Sequence, residues 1–288
     1  MKCQTLAAVA FCVQAFCLDA HGNIRNRNYP IAEEIRGDVD ARLSRSDACK
    51  GLCRYVDYAA NGGRGVFVEN PDFWARGIDF SCASPWNSQD GGQRAGTAVS
   101  ARHIVFAHHF PLQVGAHITF VGNDGRTVKR RLDNAKRVGG SDLAVGLLDE
   151  DLPKTVKPAY VLPNDFTNYV GYANDFPVVV FDQEEKALVR EIPSVYRGTH
   201  GVQSLRKPKG ELRRRFYEDI VGGDCGDPAF LVARGGVIFL ATIDSVTGAS
   251  PSVFMLRKEI QRAMDDLMSG YRLEEYPFAE NYLGTNAR

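Results

Sequence analysis

The sequence predicts an all-β protein made of two β-rich halves, entered by a short helical arm and closed by one C-terminal helix. Three observations predict it. The hydrophobic period changes from four to two near residue 64. Short apolar runs then recur between turn signals, at a spacing that suits β-barrels or a sandwich. Helical spacing returns only in the last periodic stretch, residues 256–268.

The chain opens MKCQTLAAVAFCVQAFCLDAHG, with one cation, Lys2, ahead of an apolar core from Leu6 to Leu18. That length suits a signal peptide and is too short to span a bilayer. Ala20 and Gly22 offer the small residues a signal peptidase reads; the alternative is a buried N-terminal helix. Residues 1–22 are accordingly expected to be a signal peptide, which makes the protein secreted or periplasmic. No later segment approaches the ~18 apolar residues of a membrane helix, so no membrane association is expected after processing.

Residues 23–63 read as a helical N-terminal arm or propeptide. After Pro30, Ile31, Ile35, Val39 and Leu43 recur every four residues and make one apolar stripe, interrupted by Gly37. In residues 64–157, His117–Val121 and Arg126–Arg130 flank Gly122-Asn-Asp-Gly125, a hairpin signal. In residues 158–272, Pro177–Phe181 and Ala187–Ile192 flank a polar DQEEK connection, and Ala229–Ala233 and Val237–Thr242 flank Arg234-Gly-Gly236. Each half has strand candidates enough for a six-stranded barrel. Leu256, Ile260, Ala263, Met264, Leu267 and Met268 share a helix face, with Gly270 where a C-cap belongs. Residues 273–288 read as a tail.

Charge names no partner: 35 basic and 35 acidic residues cancel in 288, which disfavours nucleic acid as the main ligand. The one basic run, Arg206–Tyr217, reads first as a solvated loop, then as a self-cleavage site or a contact for a polyanion. Trp74 and Trp86 read as packing anchors. Cys49, Cys53 and Cys82 allow one bridge, which leaves Cys225 unpaired. Cys49 and Cys53 have no companion ligand pair at zinc-finger spacing, so no metal ligand is assigned.

Three separated stretches carry chemistry. They are Gly96-Thr-Ala-Val-Ser-Ala-Arg-His-Ile-Val-Phe-Ala-His-His-Phe110, Gly140-Ser-Asp-Leu-Ala-Val-Gly-Leu-Leu148, and Val221-Gly-Gly-Asp-Cys-Gly-Asp-Pro-Ala-Phe230. In that order they resemble the "GTxVSxxxVLTAAHC", "DIALL" and "GDSGGP" signatures of the trypsin-like, chymotrypsin-fold peptidases, over residues ~64–270. The resemblance implies a chymotrypsin-like double β-barrel and peptide-bond hydrolysis on a polypeptide substrate without a cofactor. It implies His109 as general base, Asp142 as its orienter and Cys225 as nucleophile. The amides of Gly223 and Cys225 would form the oxyanion hole. Counting six residues back from Cys225 places Asp219 at the floor of a substrate pocket, where it would pair with Lys or Arg.

The chemistry makes sense by itself. A thiol attacks an acyl carbon when a base takes its proton, and a carboxylate behind an imidazole fixes the ring's tautomer. Converging backbone amides stabilise the oxyanion. The departures are the cysteine in place of serine, Phe110 and Val221 in place of two family cysteines, Asp227 beside the site, and no activation sequence to pair with Asp224. Other readings of Cys225 remain: an inert buried thiol, a disulfide half or a metal ligand. Two rival functions remain as well. One is a catalytically inactive homologue serving as a binding or scaffold module, and the other is an adhesion or polyanion-binding protein using residues 206–217.

Overall fold

The computed structural model describes residues 29–56, 58, 67–85, 94–171, 175–194, 202–245 and 250–283. The expected signal peptide, residues 1–22, and Trp86 lie outside the described residues. The stripe that follows Pro30 forms helix α1 (Pro30–Ser44), with Pro in its first turn, Glu33 near its N-terminus and Arg42 in its last turn. Ile31, Ile35, Val39 and Leu43 are all buried, as the four-residue spacing predicts. Gly37 lies within the helix at a position where an added Cβ would meet nothing within 4 Å, so no close contact requires a glycine there. The helix ends well short of the expected arm's residue 63. After the short α2 (Ala48–Gly51), capped by Asp47, the chain turns extended, with Cys53 bridged to Lys186 and Tyr55 to Glu69. Close packing of Gly51 against the Asp72 carbonyl, and Trp74 N–H donating to Gly51 O at 3.0 Å, stop the helix there.

The first sheet holds β1 (Thr97–Ala98), β2 (His103–Ala107), β3 (His117–Val121), β4 (Thr127–Arg137) and β5 (Leu143–Leu148), in the order β1-β2-β5-β4-β3. The Gly122–Gly125 signal makes the β3–β4 hairpin, with Val121 opposite Thr127. β4 runs well past Arg130 because its charged residues face solvent while Leu132 alone is buried. A register shift between Leu132 and Asn134 lets it bend from β3 to β5.

His103 enters β2 fully buried, its Nδ1 3.0 Å from Ser100 Oγ, and burial pushes its pKa down to about 4. The unfolded chain takes a proton on this ring below roughly pH 6.5, the folded chain only near pH 4. This group's stabilising contribution is therefore present above the unfolded pKa and is lost as pH falls through that window. A plot of urea midpoint against pH should fall there in the wild type and flatten in His103→Gln. An equal fall in both would assign the acid sensitivity to other groups.

Past α3 (Thr167–Val170) come β6 (Phe176–Phe181), β7 (Ala187–Ile192), β8 (Val202–Gln203), α4 (Glu211–Arg214), β9 (Pro228–Ala233), β10 (Gly236–Thr242) and β11 (Ser250–Pro251). A four-stranded sheet, β10-β9-β6-β7, and a β11–β8 pair result. Isolated bridges Glu191–Arg206 and Ala241–Ser252 join that pair to β7 and β10. The chain is thus mostly β, with two antiparallel sheets, one curled into a half-barrel, and a few helices.

Strands β6, β9 and β10 read as unbroken apolar runs because both faces are covered. Val179, Phe181, Phe230 and Phe239 pack into one core with Phe80 and Phe106 of the first half. Val178, Val180, Leu231 and Leu240 fill the second core with Ile31, Ile35 and Tyr276. The stripe of α1 is divided between the two, since Val39 and Leu43 belong to the first. Helix α5 (Val253–Leu267), capped by Ser252, returns to pack on β4 and β5. Its C-cap is Met268, where Gly270 was expected, and Gly270 follows two residues later at φ +97°.

Residues 273–283 are not a loose tail. Tyr276 N–H donates to Val161 O at 2.9 Å, and Tyr276, Phe278 and Tyr282 are buried in the second core. The basic run is not simply solvated either. Arg213 holds both carboxylate oxygens of Asp40 at 2.7 and 2.8 Å and Glu191 at 2.9 Å, and Phe216 is core. Trp74 anchors packing as expected, donating its indole N–H to Ala187 O at 2.8 Å. No helix among the described residues is long and apolar enough to cross a membrane.

Candidate active site

Strand register brings His109 and Asp142 together across 33 residues of chain. β2 pairs antiparallel with β5 so that Ala107 faces Leu143, and the next residues out are His108, His109 and Asp142. His108 N–H donates to Asp142 O at 2.9 Å and His109 N–H to Asp142 Oδ1 at 2.8 Å. His109 Nδ1 lies 2.5 Å from Asp142 Oδ2. A carboxylate only accepts, so Nδ1 carries the proton and Nε2 the lone pair. Burial lowers the proton affinity of this ring. The hydrogen bonds with Asp142 and Cys225 and their charges outweigh it, so the pKa of His109 ends above the usual range.

Cys225 comes from the other half, on the turn that leads into β9. Gly226 N–H donates to Ile243 O at 2.9 Å and Ile243 N–H to Asp227 O at 2.8 Å, which staples the turn to the end of β10. Gly226 also meets the first half: a Cβ there would lie 3.6 Å from Ala107. Gly223 and Gly226 have φ of +114° and +95°, the region that L side chains resist. Among the described residues, neither the Gly223 nor the Cys225 amide donates to another protein group.

Two residues that the sequence reading missed complete the site. A ring nitrogen of His109, Cys225 Sγ and an Asp244 carboxylate oxygen all lie within 4.8 Å of one another. Ser245 Oγ is 2.9 Å from Cys225 Sγ. Their signal was faint: a polar pair, Asp244-Ser245, directly after the apolar run of β10.

Asp219 departs from its expected place. It is exposed and accepts from the Tyr217 hydroxyl, so it is not a buried carboxylate flooring an apolar pocket. Residues 217–223 lie outside the strands. They are held from below by buried Arg190, which donates to Glu218 O at 2.9 Å and lies under the Tyr217 ring. The four cysteines among the described residues are free thiols, so the bridge that Cys49, Cys53 and Cys82 allow is not formed. Cys82 is sealed in the first core, where burial pushes its thiol up to about 12.

Behind the Cys225 turn sit four buried acids, Asp182, Glu185, Asp224 and Asp227. Asp182 Oδ1 accepts from Glu184 and Lys186 N–H at 2.9 Å each and shapes the β6–β7 turn. Asp224 accepts from Gln183 N–H at 3.3 Å and Val221 N–H at 2.8 Å, tying that turn to the Cys225 turn. The negative charge that a carboxylate at Asp227 would add beside the site is disfavoured. Burial first, then the neighbouring acids Glu185, Asp224 and Asp182, push its pKa well above the usual carboxylate range.

The folded state therefore keeps a proton on Asp227 that the unfolded chain loses near pH 4, and stability declines as pH rises above that value. Asp227→Asn should remove this decline and raise the melting temperature at pH 7 more than at pH 4. A variant that melts lower at both pH values would show that Asp227 is ionised in the fold.

No protein-family model matches the chain, and comparison with curated proteins finds no match.

Proposed function

We propose that this chain is a peptidase with a cysteine nucleophile, on a chymotrypsin-like double β-barrel. One observation carries the reading. A carboxylate-bound imidazole at the rim of one sheet stands within 4.8 Å of a thiol held on a glycine turn at the rim of the other. The fold supports it through the ring of pairings β6-β7, β8-β11 and β10-β9, joined by the Glu191–Arg206 and Ala241–Ser252 bridges. The first-half sheet likewise extends beyond β1 through the Ala83–Thr97 bridge.

In this mechanism His109 Nε2 takes the Cys225 proton as sulfur attacks the scissile carbonyl. The amides of Gly223 and Cys225 hold the resulting oxyanion. His109 then gives its proton to the leaving amine as the C–N bond breaks, which leaves a thioester. Water, deprotonated by the same imidazole, attacks the thioester, the acid departs and the thiol is restored. Asp142 stabilises the imidazolium in both steps. The substrate is a polypeptide, and the leader-like segment 1–22 supports action outside the cytoplasm.

The Ser245 contact favours a second reading, a catalytically inactive binding module. The Ser245 hydroxyl, 2.9 Å from the sulfur, competes with the His109 imidazole for the thiol. Labelling the folded full chain with a peptide bearing a thiol-reactive electrophile decides between them. The peptidase reading expects selective modification of Cys225 at neutral pH, slowed at least tenfold in His109→Ala. A Cys225 that reacts only after unfolding would end it.

A further inference from the structure

We propose that His109, Cys225 and Asp244 form a binding site for a borderline-soft divalent cation, with Zn2+ as its physiological type, and that the cation switches the thiol off. The donor set is the first argument. An imidazole nitrogen, a sulfur and a carboxylate oxygen are the ligands Zn2+ takes, and they lie within 4.8 Å of one another. In a tetrahedral zinc site such atoms stand about 3.5 Å apart. Side-chain rotation of roughly an ångström closes the difference.

Preorganisation is the second argument. The three ligands come from the end of β2, the turn before β9 and the end of β10; backbone hydrogen bonds tie the last two together, and the end of β2 is held on Asp142. His109 already gives its Nδ1–H to Asp142, the carboxylate–imidazole arrangement that orients a metal-binding histidine and leaves Nε2 to the metal. Ser245 stands beside the sulfur in the same supporting role. Cys225 and Asp244 are buried while His109 is exposed, so one coordination position faces solvent and accepts water.

Binding is a simple exchange. A Zn–S bond forms, the thiol proton leaves to solvent, and nothing is oxidised. With sulfur and Nε2 both coordinated, neither nucleophile nor base remains. Hard cations such as Mg2+ and Ca2+, which take all-oxygen sites, are not held. The binding site stands on its own geometry, and only its effect on catalysis rests on reading Cys225 as the nucleophile.

The test uses the full chain in a thiol-free buffer, with Zn2+ in equilibrium dialysis and Co2+ as an optical probe. Expected are stoichiometric Zn2+ binding at micromolar free metal and a thiolate-to-Co2+ charge-transfer band. The band should vanish in Cys225→Ala and survive the Cys49→Ser, Cys53→Ser double variant. Asp244→Asn should weaken Zn2+ binding by about tenfold or more. Absence of binding, or a band that follows Cys49 and Cys53 in place of Cys225, would overturn the site. Peptide hydrolysis read in parallel separates the two proposals. Hydrolysis by the metal-free chain that added Zn2+ leaves unchanged defeats the switch, and Zn2+ binding by a chain whose metal-free form hydrolyses no peptide defeats only the peptidase reading.

Discussion

Cys225→Ala is expected to abolish peptide hydrolysis, with kcat falling about 10⁴-fold or more at unchanged melting temperature. The proposed thioacyl step has no other nucleophile. Of the remaining described cysteines, Cys82 is sealed in the core, and Cys49 and Cys53 belong to the N-terminal arm. What survives is the background from oxyanion stabilisation and binding alone. His109→Ala should lose nearly as much, and combining both should cost little beyond either, because the pair acts as one unit. Asp142→Asn should cost less than its ~10⁴-fold counterpart in serine enzymes, since a thiol needs less help from the imidazole. Cys225→Ser should also lose activity, because the site is shaped around sulfur. Assays of a fluorogenic peptide library give all of these rates. A gain of hydrolysis in Cys225→Ser would identify a decayed serine site and defeat the cysteine-peptidase reading.

The second large effect concerns α1. Ile35→Ala is expected to destabilise the fold by roughly 2–5 kcal/mol, the usual cost of emptying a buried isoleucine site. At ~2–4 °C per kcal/mol for a chain approaching this size, melting should drop by about 4–20 °C. Deletion through Arg45 is more severe. It removes Ile31, Ile35, Val39 and Leu43 from both cores, at ~1.5–3 kcal/mol each, and unpairs the half-buried Arg213 from Asp40. That loss is comparable with the whole ~5–15 kcal/mol stability of a domain, so the truncated chain should fail to fold. Circular dichroism melts of the two variants check this. A truncated chain that melts like the full one would make the arm a dispensable propeptide.

Local order was legible in the residues themselves. A four-residue stripe gave α1, alternation around Gly122–Gly125 gave the β3–β4 hairpin, and the spacing of Ile260, Ala263 and Met264 gave α5. These follow from side-chain periodicity and turn chemistry, which act over a few residues. His109, Asp142 and Cys225 were nameable because each sits in its own recognisable stretch. Their meeting was implied only through the family resemblance, because it depends on Ala107 pairing with Leu143 and on Gly226 packing close to Ala107 across the two halves.

Where burial decides, the sequence was silent or misleading. Asp219 and Asp227 look alike in the chain, yet one is exposed on Tyr217 while the other is sealed among acids that, with burial, push its pKa well above the usual range. Asp244 gave no motif at all; only the stapling of the Cys225 turn to the end of β10 brings its carboxylate to the thiol. The aromatic residues after 273 read as a tail because a strand-like bridge of a few residues has no period to detect. Tertiary packing alone makes them core. Sequence by itself determined which residues were chemically competent, through local propensity and residue type. Only the tertiary structure decided which of them share a site and which keep their charge, because proximity and desolvation are properties of the packed chain.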